Sequence, residues 1–153
     1  MTIATLVIYL NYSSELERVL GKDFAEYVDN WKQNDEAWQE LEVKFDTSNI
    51  VIWYQQQSAH PFLVEYNRRI KFQHNNKQSE LHKMSLNPGG RTEIKIYGEP
   101  NSIILEDIWG LYILDLKNMT LKEPDESMDT SKLTYLGIIN EDQNGQLLFR
   151  YSS

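Results

Sequence analysis

Residues 61–84 read PFLVEYNRRIKFQHNNKQSELHKM, and their periodicity decides the fold. Phe62, Tyr66, Ile70, Lys77, Leu81 and Met84 keep a rough 3.6-residue spacing, and Pro61 suits the first turn of a helix. The polar run 73–77 interrupts that spacing. The pattern therefore predicts a helix over 61–72, a break, and a short helix over 79–84. A second reading pairs 62–66 with 69–73 as a β-hairpin.

Working outward, 50–54 (IVIWY) is a β-branched apolar run. Before it, Leu41, Val43 and Phe45 alternate with Glu40, Glu42 and Lys44. The turn cluster 46–49 lies between them, so the two segments are expected to form a hairpin. Toward the N-terminus, 2–10 (TIATLVIYL) has the pattern of a buried strand. Ser14 and Glu17 make a capping box for an amphipathic helix over 15–32.

In the other direction, 87–90 (NPGG) is a loop. Segment 92–97 is an alternating strand, and 103–105 and 111–116 continue the apolar pattern. Residues 122–132 are acidic and Pro-containing, as in an exposed loop. The chain closes on a predicted hairpin of 133–140 and 147–151 across the turn at 142–145. The order β-α-β-β-α-β through Tyr97 is that of a ferredoxin-like unit. The expectation is a single α+β domain over 1–153, with a mostly antiparallel sheet, further C-terminal antiparallel strands and a terminal hairpin.

Charge is unevenly spread. Residues 60–95 hold seven cations against three anions, a formal +4, while each flank holds four against ten, giving the net −8. All three histidines (His60, His74, His82) lie in the same stretch. An acidic chain opposes sequence-independent nucleic-acid binding, which depends on neutralising phosphates. The absence of cysteine removes thiolate ligands and nucleophiles. With no basic leader pattern and an apolar N-terminal run too short to span a bilayer, the expected location is cytoplasmic, without membrane insertion.

The histidines lack metal-ligand spacing, so no metal or cofactor is expected. No nucleophile elbow or phosphate loop occurs. The candidate contact residues for a partner or an anion are Arg68, Arg69, Lys71 and Arg91, because guanidinium groups suit forked recognition of carboxylate or phosphate. Arg91 follows a Gly pair that also fits an anion-binding nest. Trp38, beside acids, is a candidate interface aromatic. Glu106 and Asp107, between two apolar runs, are weak acid–base candidates.

Two functions follow as expectations. One is a non-catalytic interaction protein (an inhibitor, immunity-type or regulatory protein) that binds a protein partner through its charge-segregated surface. The other is a site for a small anionic ligand, with or without catalysis, built on the basic segment 60–95.

Overall fold

The computed structural model describes residues 38–59, 65–124 and 128–152. The strand expected over 2–10 and the helix over 15–32 lie outside the described residues.

Two antiparallel sheets share one buried hydrophobic cluster. The first contains β1 (Gln39–Phe45), β2 (Ile50–Ser58), β3 (Tyr66–His74), the short β4 (Lys77–Gln78) and β5 (His82–Asn87). It runs β1-β2-β3, with β4 and β5 both paired to β3. The second contains β6 (Glu93–Glu99), β7 (Ser102–Asp107), β8 (Gly110–Asp115), β9 (Thr120–Lys122), β10 (Thr134–Glu141) and β11 (Leu147–Tyr151). Its order is β11-β10-β6-β7-β8-β9, so after a meander of four strands the chain returns to the free side of β6.

The α+β, ferredoxin-like expectation is thereby overturned. Among the described residues the only helical segments are two 3-10 turns of three residues each. Segment 66–74, expected to be largely helical, is a strand held between β2 and β5, and 82–87 is a strand instead of the end of a short helix. The rival hairpin of 62–66 with 69–73 fails too, because Tyr66 to His74 form one continuous strand.

The cause is a period of two hidden by one residue. Arg68, Ile70 and Phe72 are buried, and the residues between them are not. A cation at an inward position breaks the apolar alternation on which strand recognition depends. The helical spacing of Tyr66 and Ile70 then prevails on paper. Next come Asn75 and Asn76, with φ of 48° and 66°. They join His74 to Lys77 as the two central residues of a tight hairpin turn. Asn is one of the few residues that tolerates this left-handed region.

Elsewhere local chemistry and structure agree. β1 and β2 pair from Phe45↔Ile50 to Gln39↔Gln56 around a 3-10 turn closed by Asn49 in the left-handed region. Val43, Ile50, Ile52, Tyr54, Ile70 and Phe72 face Ile94, Ile96, Leu105, Tyr112, Leu114 and Ile139 in one cluster. Burial of each large apolar side chain contributes about 1.5–3 kcal/mol relative to exposure. The bulge in β10 falls between Tyr135 and Gly137. Gly137 has φ +150°, and a Cβ there would meet the Arg150 carbonyl at 2.3 Å, so only glycine fits.

Asp115 ends β8 and organises the turn into β9. Its Oδ1 accepts from the backbone N–H groups of Lys117 and Asn118 at 3.1 and 3.0 Å, and its Oδ2 from Asn118 Nδ2 and Lys122 Nζ at 2.8 and 2.9 Å. The hydrogen bond from Lys122, then those from Asn118, hold this carboxyl well below its ordinary value of 3.8. A depressed carboxyl stabilises the fold above its unfolded pKa, and that contribution disappears as pH falls through the folded one. The Tm deficit of Asp115→Asn relative to wild type is therefore expected to be full at pH 6 and to shrink steadily below about pH 4. Thermal unfolding at a series of pH values checks this, and a deficit that stays constant down to pH 2 contradicts it.

Candidate functional site

Neighbouring residues of β3 have opposite fates. Arg68 is 3% exposed and crosses from the first sheet to the second. Its Nε donates to the Ser85 carbonyl at 2.9 Å, its Nη2 to the Tyr112 hydroxyl at 3.0 Å, and its Nη1 to Asp107 Oδ2. Burial works against the guanidinium charge, but the Asp107 hydrogen bond and the surrounding groups outweigh it, and the pKa stands above its ordinary value. The other Asp107 oxygen accepts from the backbone N–H groups of Trp109 and Gly110 at 2.7 and 2.8 Å.

This carboxylate is thus fully engaged, as the internal counterion of Arg68 and the cap of the β7–β8 turn. It carries at that turn an exposed tip, with Ile108 at 74% and Trp109 at 52% exposure. Glu106 accepts from the Tyr97 hydroxyl at 2.7 Å and from Thr130 Oγ1 at 3.4 Å. Both acids also line an open depression of about 230 Å³ together with Glu93, Lys95 and Ile108.

A second polar tie joins the sheets nearby. Gln56, 1% exposed, accepts from Thr92 Oγ1 at 2.6 Å and from the Tyr54 hydroxyl at 3.2 Å, and donates to Glu141 at 2.7 Å. Burial pushes the Tyr54 phenol far above its ordinary range, so it remains a neutral donor. Both ties span β2 or β3 on one side and the second sheet on the other, which fixes how the sheets sit.

Arg69, one residue on, lies on the outer face of the first sheet. It belongs to a cross-strand row Glu40–Gln55–Arg69–Lys83. Gln55 donates to Glu40 and accepts from Arg69 Nε, relaying the row from edge to centre. The guanidinium carbon sits 3.8 Å from the ring centroid of Trp38, a stacked cation–π contact. Among the described residues, neither Arg69 nor Lys83 makes an ion pair. Together with Asn67, Leu81 and Met84 these residues line an open cleft of about 380 Å³.

The next row is Glu42–Trp53–Lys71. Trp53 Nε1 donates to Glu42 at 2.8 Å, Lys71 Nζ stands 4.8 Å above the Trp53 ring, and Lys44 pairs with the other Glu42 oxygen at 2.6 Å. Trp53 therefore lies half-buried on the outer face of the first sheet.

The sequence candidates divide accordingly. Trp38, Arg69 and Lys71 share the outer face of the first sheet. Arg68 is internal. Arg91 is exposed between β5 and β6, after a turn in which Gly89 N–H already donates to Asn87 at 3.2 Å. It shares with Arg68 only a void of about 20 Å³, room for little more than one water. Sequence reasoning missed Lys83 as a partner of Arg69. The signal was there in principle, since once 66–74 is a strand, the turn at Asn75 and Asn76 brings the following segment back beside it.

Among the described residues, no three His, Asp or Glu side chains gather as a metal site, and no helix is long and apolar enough to cross a membrane. Searches against protein-family models, curated proteins and solved structures find no match.

Proposed function

We propose that the protein is a non-catalytic binding domain that engages a protein partner through the outer face of its first sheet. The observation carrying this reading is the arrangement at Trp38, Arg69 and Lys83. An aromatic ring and a guanidinium are stacked at 3.8 Å, directly across from a second cation, at the mouth of an open cleft. Stacked Trp and Arg are the side chains most enriched where interfaces hold their energy. Here they are already ordered, which lowers the entropy cost of association. Of the two acid–base candidates, Asp107 is occupied as turn cap and counterion of Arg68, which supports a structural role for that carboxylate.

Affinity capture from the source cells, followed by cross-linking mass spectrometry, tests the reading. The expected cross-links run to the partner from Lys44, Lys71 and Lys83, on the first sheet. Failure to capture a partner, or cross-links confined to Lys95, Lys117, Lys122 and Lys132, contradicts it.

A further inference from the structure

The Arg69–Lys83 pair has a chemistry of its own. Two cations directly opposite on neighbouring strands repel each other, and among the described residues no carboxylate stands between them. Arg69 uses Nε on Gln55 and one face on Trp38, which leaves its Nη donors without a carboxylate among the described residues. The rest of the cleft is apolar in part. Leu81 is 49% exposed there and the Trp38 ring lines the wall, while Met84 forms the floor from its buried place in the core.

Resting on the binding reading above, we propose that the cleft is a carboxylate clamp for an extended acidic segment of the partner. One Glu or Asp side chain sits between Arg69 and Lys83, and a neighbouring apolar side chain of the same segment rests against Trp38 and Leu81. Arg69 supplies the planar fork and Lys83 a point charge. A bare inorganic anion would leave the apolar half of the cleft unused, so the mixed lining favours a peptide bearing both kinds of side chain. The positive pair also complements an acidic segment in its approach, steering it to the stack.

The test is a ¹H–¹⁵N NMR titration of the full chain with an acetylated, amidated hexapeptide of alternating leucine and glutamate. Expected perturbations fall on the Trp38 indole N–H, the Arg69 Nε–H and the Lys83 amide. The leucine–glutamine counterpart and the Arg69→Gln variant are each expected to bind at least about fivefold more weakly, in line with a charge-assisted contact. Equal binding of the two peptides, or perturbations confined to other surfaces, overturns the clamp. Inorganic phosphate binding as tightly as the peptide overturns the identification of the ligand as an acidic segment. If the peptide fails while partner cross-links remain on the first sheet, the clamp falls and the binding reading stands. If the peptide binds at Arg69 but no partner is captured, the clamp stands and the protein-partner reading falls.

Discussion

Arg68→Ala is expected to destabilise the domain by about 3–5 kcal/mol, the cost of leaving a buried charge without its partner. Asp107 would keep the backbone donors of Trp109 and Gly110 but lose its counterion in a place where its side chain is only 4% exposed. The Ser85 carbonyl and the Tyr112 hydroxyl would also lose the donors they take from Arg68. Because domains of this size are stable by only about 5–15 kcal/mol, the variant is expected to approach or cross the unfolding threshold. Urea denaturation measures the effect as a fall in midpoint at an unchanged slope. Removing both charges behaves differently: Arg68→Met combined with Asp107→Asn is expected to recover part of the loss, since no unpaired charge stays buried and the amide oxygen still accepts from Trp109 and Gly110. A loss below about 1 kcal/mol for Arg68→Ala, the range of exposed pairs, contradicts the buried-tie account.

The second large effect is on binding. Arg69→Glu together with Lys83→Glu is expected to weaken affinity for the captured partner at least about 100-fold. That corresponds to about 2.7 kcal/mol, within the range of a hot-spot loss. The same two substitutions are expected to change folding stability by less than about 2 kcal/mol, because neither side chain holds an ion pair among the described residues and the loss is confined to the Arg69 stack on Trp38 and its hydrogen bond to Gln55, each worth about 1 kcal/mol near the surface. Lys71→Glu, on the neighbouring row, serves as a control with a smaller effect on affinity, since Lys71 stands over Trp53 and does not line the cleft. Calorimetric titration with the purified partner decides the matter. An affinity within threefold of wild type contradicts the assignment of the contact to Arg69 and Lys83.

Much of the strand content was legible in the sequence where alternation was unbroken. Leu41, Val43 and Phe45 announced β1, Ile94 and Ile96 announced β6, and the turn 142–145 announced the last hairpin. The decisive stretch was not legible because its inward face includes a charge. Arg68 is compatible with a buried position only through Asp107, 39 residues away, and local pattern carries no trace of that pairing. The same pairing dissolves the apparent island of positive charge. Once 66–74 is a strand, Arg68 turns inward, Arg69 and Lys71 turn outward on the first sheet, Lys83 joins them from β5, and Lys95 goes to the second sheet. Charge that is contiguous in sequence is thus divided among surfaces, and the usable part is smaller than the run. Trp38 and Arg69 were each visible as candidates. Their stacking was not, because it depends on the position of Trp38 just before β1, two strands from β3.

The central claim is that residues 68 and 69 face opposite sides of one strand. Native-state modification with phenylglyoxal, followed by peptide mass spectrometry, reads it directly. The expected result is reaction at Arg69 at least about tenfold faster than at Arg68, with Arg68 reacting freely only after denaturation, because a guanidinium held in three internal hydrogen bonds reacts only when the fold opens. Equal native-state reactivity at the two positions would contradict the buried tie and the alternation that produces it.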